Sequence, residues 1–283
     1  MNRLGWVLLV CILGVGFLPL RDVMSPNQSL HILATMGQKA WNSFNDTNLK
    51  VRRLTKFGFN KDIDTGSREI LASFGGTWLQ RELAAETLSV VSTSASDTAA
   101  GIGAQQLLLS CINSDGLEVN VVVALNGLTP VVTTQTCKFI NRAVVFLTGT
   151  SDTNVGNINI TQSTSSVQLA QIPAARSSTQ QLLYYVPADR RCYMDHVFVK
   201  VRKLAGGSDP KVEINALIYS QTQDTVYDVR EFYIDTSSGD GIIDLFDFKA
   251  EVLRPNEIIT FDFLTDTNNT IATGSIDMTC KFD

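Results

Sequence analysis

The stretch from Glu86 to Thr150 constrains the fold more than any other part of the sequence. Its apolar runs, rich in Val, Leu and Ile, are interrupted at short intervals by Ser114-Asp115-Gly116 and Asn126-Gly127. Glycine adopts positive φ angles at little steric cost, and Asp or Asn before it tolerates the left-handed region, so both sequences predict hairpin turns. The stretch therefore predicts a β-meander, in which residues 105–112 pair with residues 117–124 and the chain then returns into residues 129–134.

The second half of the chain repeats this rhythm. Strand-like runs are separated by turn sequences such as Gly206-Gly207 and Arg254-Pro255-Asn256-Glu257, at spacings of roughly eight to twelve residues. Such spacing is typical of an antiparallel sandwich, and about eight strands in this length suit a jelly roll. We therefore expect an all-β chain with two antiparallel, jelly-roll-like β-sandwich domains, residues 49–170 and 171–283.

The N-terminus has a different character. Residues 4–20 are uncharged between Arg3 and Arg21, and this length lies near the lower limit for a membrane-spanning helix. Because no small-residue cleavage site follows, an uncleaved anchor in residues 1–21 is favoured over a cleaved signal peptide, and a buried core segment is the third alternative. Residues 22–48 are expected to form a partly helical tether, since Ser25-Pro26 resembles a helix start.

The charge of the chain disfavours nucleic acid as a partner. Among its 283 residues, 23 Lys and Arg stand against 28 Asp and Glu, which gives a net charge of −5. The basic run from Lys50 to Lys56 is short and lacks interleaved aromatic residues, so a solvated linker or strand edge is favoured over a nucleic-acid site.

The five cysteines leave two alternatives open. None lies in a Cys-x-x-Cys pair, which disfavours zinc ribbons and thioredoxin-like centres. Cys11 belongs to the apolar N-terminus, and the other four are either buried free thiols or, in an extracellular domain, disulfides. Of the three possible pairings, Cys111 with Cys137 is attractive because both lie in the predicted meander.

One short motif invites an enzymatic interpretation. Asp64-Thr65-Gly66 matches the triplet of aspartic proteases, whose chemistry needs two carboxylates sharing one proton. The nearest second copy is Asp235-Thr236-Ser237, which has serine where glycine is required. An Asp-Thr-Gly turn is therefore the favoured interpretation.

Histidine chemistry and metal binding are also disfavoured. The sequence contains only His31 and His196, and strand alternation places Asp195 on the opposite face from His196, which predicts a structural histidine. The densest acidic cluster, Asp240, Asp244 and Asp247, offers oxygen ligands for calcium, but the apolar residues between them favour a strand edge. No cofactor or metal is expected.

Three motifs carry a resemblance to a known family. Phe57 to Gly66, Ser94 to Ala104 and Leu125 to Val131 follow one another in an order similar to that in virion structural proteins of tailed, mainly marine, bacteriophages and related viruses. The second half, from Val186-Pro187-Ala188 onward, resembles that family less specifically. The motifs consist of turn residues, and the resemblance transfers no catalytic residue.

The resemblance implies a non-enzymatic head decoration, spike or fibre-like protein on the virion surface. It further implies a homotrimer, contacts with other virion proteins, and possible recognition of a host receptor or glycan. The apolar N-terminus departs from the pattern of this family. The departure points either to a virion protein that contacts a membrane or to a virus of another type. The alternative is a membrane-anchored or secreted sandwich that binds carbohydrate or protein, with stacking faces from Trp78, Tyr184, Tyr185 or Tyr193, although core packing is expected for each.

Overall fold

The computed structural model describes residues 51–78, 83–204, 208–237, 239, 241–246 and 252–282. The predicted anchor or signal in residues 1–21 and the tether in residues 22–48 lie outside these described residues. Within them, every regular element is a β-strand, and no helix has the length and apolar character needed to cross a membrane. The all-β prediction is therefore confirmed.

The strands follow one another along the chain in this order: β1 (Val51–Ile63), β2 (Glu69–Ile70), β3 (Glu86–Ser92), β4 (Ala104–Ile112), β5 (Glu118–Ala124), β6 (Val131–Cys137), β7 (Phe139–Thr148), β8 (Ile158–Gln162), β9 (Gln168–Ile172), β10 (Leu183–Tyr185), β11 (Arg190–Lys203), β12 (Lys211–Ser220), β13 (Thr225–Asp235), β14 (Gly241–Phe246), β15 (Val252–Leu253), β16 (Glu257–Thr265) and β17 (Thr270–Phe282).

These strands form two pairs of antiparallel sheets. One pair, which we call the base sandwich, has strand order β1-β17-β11-β14 with β15 beside β11 in one sheet, and β10-β16-β12-β13 with β2 beside β16 in the other. The other pair, which we call the inserted sandwich, contains β6-β3-β8-β9 in one sheet and β5-β4-β7 in the other.

The strand pairing differs in one respect from the predicted division at residue 170. β1 pairs with β17, from Val51 opposite Lys281 onward, and β2 pairs with β16. The first two strands therefore belong to the base sandwich, and β3 to β9 are inserted between β2 and β10. The sequence does not reveal this, because pairing between strands so far apart leaves no turn signal.

The predicted meander is right in its first hairpin and wrong in its second turn. β4 and β5 pair with Ile112 opposite Glu118, and the turn between them contains Gly116 at φ 78°. After Asn126-Gly127, however, β6 pairs with β3 in the other sheet. The turn chemistry specifies a reversal of the chain but does not specify which strand it joins.

Each sandwich has its own apolar core, and a third cluster joins them. We call this third cluster the junction cluster; it contains Ile70, Ala72, Ile112, Phe139, Leu183, Tyr185, Tyr219 and Ile258. The rings of Phe139 and Tyr185, one from each sandwich, lie 5.8 Å apart. Burial of these side chains excludes water between the two sandwiches and stabilises their contact.

Four cysteines form two disulfides. Cys111 on β4 is bonded to Cys137 at the end of β6, with their Cα atoms 5.7 Å apart. This is the pair put forward from the sequence, and it links the two sheets of the inserted sandwich. Cys192 and Cys280 are bonded between neighbouring strands of the base sandwich. The alternative of buried free thiols does not hold for these four residues.

Asp97 organises the loops at the end of the inserted sandwich that lies away from the base. Its buried carboxylate accepts hydrogen bonds from Ser92 Oγ at 2.6 Å and from the backbone nitrogens of Ala104, Val155 and Gly156, each at 2.8 Å. Four donors satisfy a buried charge that would otherwise be costly. The Ser94 to Ala104 motif therefore has an architectural role, and a Cβ at Gly103 would lie 2.1 Å from the same carboxylate.

We expect Asp97→Ala to lower the free energy of unfolding by about 2–4 kcal/mol, because three backbone donors lose a buried partner. Urea denaturation with both disulfides intact measures this loss. The control is Asp62→Ala, since Asp62 is exposed on β1, and its effect is expected to stay below about 0.5 kcal/mol. Equal destabilisation by the two substitutions would contradict the role assigned to Asp97.

Candidate binding cleft between the two sandwiches

A cleft of about 440 Å³ lies where the base and inserted sandwiches meet. One wall is the first half of β1, and the opposite wall comes from β4, β5 and β7. Ser178, Thr179 and Gln180, which connect the two sandwiches, complete the lining together with Tyr184. The cleft is therefore built from segments that are far apart in the sequence.

The basic run predicted from the sequence forms the first wall. β1 is the end strand of its sheet, because its only strand partner within the described residues is β17. The alternation of the strand buries Lys56 and half-buries Leu54 while it exposes Arg53 and Phe57. The structure thus places the described part of this run at a strand edge, which is one of the two favoured interpretations.

Lys56 is the most unusual side chain of the cleft. It is only 8% exposed, and its Nζ donates a hydrogen bond to the backbone oxygen of Asn141. Burial, aided by the charge of Arg142, lowers the pKa of Lys56 to about 7, although Glu118 acts in the opposite direction. The amine can therefore gain or lose a proton near neutral pH.

Glu118 is the only carboxylate among the residues that line the cleft. Its side chain accepts hydrogen bonds from Arg190 Nη1 at 3.1 Å, from Arg52 Nη1 at 3.4 Å and from Asn141 Nδ2 at 3.3 Å. Since Glu118 is shared by two guanidinium groups, it leaves little negative charge for the other cations.

Arg53 and Arg142, the other two arginines of the cleft, have no partner among the described residues. Within the described residues, the side chains of Arg53 and Arg142 make neither an ion pair nor a hydrogen bond, and both are exposed. Four cationic residues in the lining thus face one carboxylate, in a chain whose net charge is −5. The cleft is therefore a positively charged region on a chain of negative net charge, and it attracts anions.

The Asp-Thr-Gly triplet forms a turn that is remote from this cleft. Thr65 donates to Asn268 Oδ1 from both its backbone nitrogen and its hydroxyl, each at 2.8 Å, and Gly66 has a φ of 94°. Asp235, the second carboxylate considered, accepts from the backbone nitrogen of Ser237 and lies 3.7 Å from Lys211 Nζ. Each segment therefore has structural partners of its own.

His196 joins three strands on the outer face of the base sandwich. Its Nε2 lies 2.6 Å from Asp244 Oδ1, and its Nδ1 lies 3.2 Å from Asp277 Oδ2. The hydrogen bond with Asp244 raises the pKa of His196, and Asp277 adds to this effect. The prediction that strand alternation separates Asp195 from His196 is wrong, because an irregularity in β11 between Met194 and His196 brings both to the outer face, where Asp195 accepts from Thr279 Oγ1. The arrangement is a surface ion-pair network.

Of the acidic cluster considered for calcium, only Asp244 belongs to the described residues. Asp244 faces His196, whereas Asp240 and Asp247 lie outside the described residues. Where the chain is described, no group of three or more His, Cys, Asp and Glu side chains is placed to hold a metal ion.

The aromatic residues considered as stacking faces divide into two groups. Tyr184 and Tyr185 are buried, and Trp78 packs edge-on against Tyr219 with ring centroids 6.2 Å apart. Tyr193 is 41% exposed on the outer face of the base sandwich. Phe57, which begins the first family-like motif but was not considered as a stacking face, is 46% exposed and lines the cleft.

No family model and no curated protein matches this chain. The solved structures that match over most of it include three of infectious bursal disease virus or of particles derived from it. A structure of infectious bursal disease virus, Gt strain, is 8% identical, with 84% of this chain and 78% of that chain covered and a TM-score of 0.20. The VP2 subviral particle of infectious bursal disease virus is 12% identical, with 83% and 76% covered and a TM-score of 0.19.

The third structure, T=1 particles derived from infectious bursal virus, is 11% identical, with 84% of this chain and 75% of that chain covered and a TM-score of 0.18. TM-scores of this size are below those of proteins that share a fold. Function therefore has to be inferred from the residues of this chain.

We expect the stability contributed at Lys56 to rise with pH. The folded-state pKa of about 7 lies below the ordinary value of 10.5, so between these values the unfolded chain binds a proton that the folded chain does not. The free energy of unfolding then rises by about 1.4 kcal/mol per pH unit through this window. Urea denaturation from pH 6 to 9, compared between the natural chain and Lys56→Met, isolates this contribution.

The matched control is Lys61→Met, because Lys61 is an exposed lysine of the same strand. We expect the stability difference between this variant and the natural chain to be independent of pH in the same range. A pH-independent difference for Lys56→Met as well would contradict the lowered pKa.

Proposed function

We propose that this protein is a non-enzymatic structural component of a virus particle, displayed on the particle surface as a capsid decoration, spike or fibre-like protein. In this role the base sandwich connects to other virion proteins and the inserted sandwich contacts further copies of the chain. The proposal is supported above all by an apolar surface on the inserted sandwich.

This apolar surface lies on the outer face of the β5-β4-β7 sheet. Val122, Leu108 and Val144 are directly opposite one another on the three strands, and Phe146 and Leu147 continue the surface along β7. Val122 is 56% exposed and Phe146 is 62% exposed. Contiguous exposed apolar side chains are a feature of protein–protein contact surfaces.

Sheet edges support the same proposal. Within the described residues, β1, β13 and β14 end their sheets in the base sandwich, and β1 and β13 are long strands of 13 and 11 residues. Open edges favour uncontrolled pairing between chains, and closed symmetric assembly is one way in which proteins cover them. A trimer, expected from the family resemblance, would provide such closure.

We expect the full-length chain to form a discrete symmetric oligomer, with a trimer as the expected size, when its mass is measured by light scattering and its shape by electron microscopy. Val122→Asp and Phe146→Asp are expected to dissociate it, because each places a charge on the apolar surface. Tyr193→Asp is the control, since Tyr193 is 41% exposed on β11, a strand of the base sandwich that has partners on both sides. A monomer at all concentrations would contradict the proposal.

A second candidate function is a membrane-anchored or secreted binding module. The cleft between the sandwiches favours it, because a concave site with unpaired cations is suited to a ligand. The two disulfides agree with an oxidising environment outside the cytosol, which both candidate functions allow. A monomeric chain that binds a ligand in the cleft would favour this second function.

A further inference from the structure

We propose that the cleft between the two sandwiches binds an acidic saccharide, a sugar that carries a carboxylate or sulfate group. This inference goes beyond the structural role proposed above and does not depend on it, since a ligand could occupy the cleft in a monomer or in an oligomer. It is drawn from three features of the lining: its cations, its neutral polar groups and its one exposed aromatic ring.

The cations supply the attraction for the acidic group. Lys56 carries three N–H donors when protonated, and the described residues use one of them, in the hydrogen bond to the Asn141 backbone. Arg142 and Arg53 have all of their guanidinium donors free within the described residues. A guanidinium binds a carboxylate or sulfate through two parallel hydrogen bonds. An anion between these residues would therefore accept hydrogen bonds from their free donors.

The neutral polar groups suit the hydroxyls of a sugar. The side chains of Ser178 and Gln180 line the cleft and make no hydrogen bond within the described residues. Thr179 Oγ1 accepts a long hydrogen bond, 3.3 Å, from the Ala143 backbone and keeps its own hydroxyl hydrogen to donate. Donors and acceptors for sugar hydroxyls are thus available beside the cations, on three consecutive residues of the segment that connects the two sandwiches.

Phe57 supplies an apolar face next to these polar groups. It is 46% exposed at the cleft, although an aromatic ring gains by being covered. The C–H groups on one face of a sugar ring can pack on such a ring while the hydroxyls on its edge reach the polar side chains. This combination of charge, hydroxyl partners and an aromatic face is more specific than a simple anion site.

Size and charge separate a saccharide from a long polyanion. A volume of about 440 Å³ lies in the range of small-molecule sites. A nucleic acid would extend beyond the cleft over a protein whose net charge is −5, where electrostatic repulsion opposes it. The ligand class that fits the cleft is therefore a short acidic sugar.

Calorimetric titration of the full-length chain tests this inference. The probes are sialyllactose, which carries a carboxylate, a sulfated heparin disaccharide, neutral lactose, sodium sulfate and an Asp/Glu peptide. We expect at least one acidic sugar to bind, with lactose and sodium sulfate at least tenfold weaker. Sialyllactose binding alone would identify the carboxylate as the recognised group, and heparin disaccharide binding alone would identify the sulfate.

Substitutions locate the binding. Arg142→Gln and Arg53→Gln are each expected to weaken binding about tenfold, because both residues are exposed and the loss of one charge-assisted contact has this size. Phe57→Leu is expected to weaken the binding of an acidic sugar but not the binding of sodium sulfate. Arg176→Gln is the control, since Arg176 is an exposed arginine of the connection that does not line the cleft.

Proton exchange provides a readout that is independent of these substitutions. The charged groups that face Lys56 are Glu118 on β5 and Arg142 on β7, with Arg52 on its own strand. A bound anion favours the ammonium form, so the affinity is expected to fall as pH rises from 6 to 8 and the binding at pH 8 to take up protons. Lys56→Arg, which stays charged, is expected to remove this pH dependence.

Several results would overturn the inference. These are the absence of acidic-sugar binding at millimolar concentration, equal binding of lactose, equal binding of sodium sulfate, binding of the acidic peptide alone, and unchanged affinity in Arg142→Gln and Arg53→Gln. None of these results bears on the oligomeric state, so failure here and failure of the proposed structural role are distinguishable.

Discussion

The pairing of β1 with β17 is the contact on which the rest of the structure depends. It joins the two ends of the described chain, from Val51 opposite Lys281 to Ile63 opposite Thr270. Leu54 and Ile63 thereby reach the base core, and everything from β3 to β9 becomes an insertion. Because loop closure over so many residues costs entropy and slows folding, this pairing is expected to form after the local hairpins. The disulfide between Cys192 and Cys280 then fixes β17 to β11.

Once the base has closed, the junction between the sandwiches determines the shape of the cleft. The side chain of Asn141 is 2% exposed, and it both accepts from the Tyr185 backbone nitrogen and donates to the Tyr185 backbone oxygen, each at 2.9 Å. It therefore pairs with β10 as a neighbouring strand would. The apolar contacts of the junction cluster do not determine the relative orientation of the strands. These two hydrogen bonds are directional and fix how β7 meets β10. The position of Lys56 under Asn141 follows from the same arrangement.

The sequence predicts the local features of this molecule and fails where distant strands meet. The hairpin between β4 and β5 follows from the turn chemistry at Gly116, and the all-β class follows from the spacing of such turns. The sequence does not predict the partner of β1 or the passage of the chain from β5 to β6 in another sheet, because neither has a local signal.

The same limit explains why the cleft was not predicted from the sequence. The basic run on β1 is visible in the sequence as a cluster of charge, and a strand edge is one of the two structures that it favours. Glu118 and Arg142 lie on separate strands among apolar residues, and each is an ordinary single charge until the fold brings them to the cleft.

The buried charge of Lys56 is the feature of the junction that costs the most free energy, and this cost bears on the function of the cleft. A methionine would fill a similar volume without the cost of removing an ammonium group from water, and replacing buried charges by apolar residues often stabilises proteins. Glu118, the carboxylate that could neutralise the amine, is instead shared by Arg190 and Arg52. A buried lysine without its own counter-ion has a lowered pKa, so an additional anion would favour its ammonium form. The missing negative charge is accounted for if it arrives with a ligand, since an anion in the cleft would lie beside Lys56 and Arg142 together.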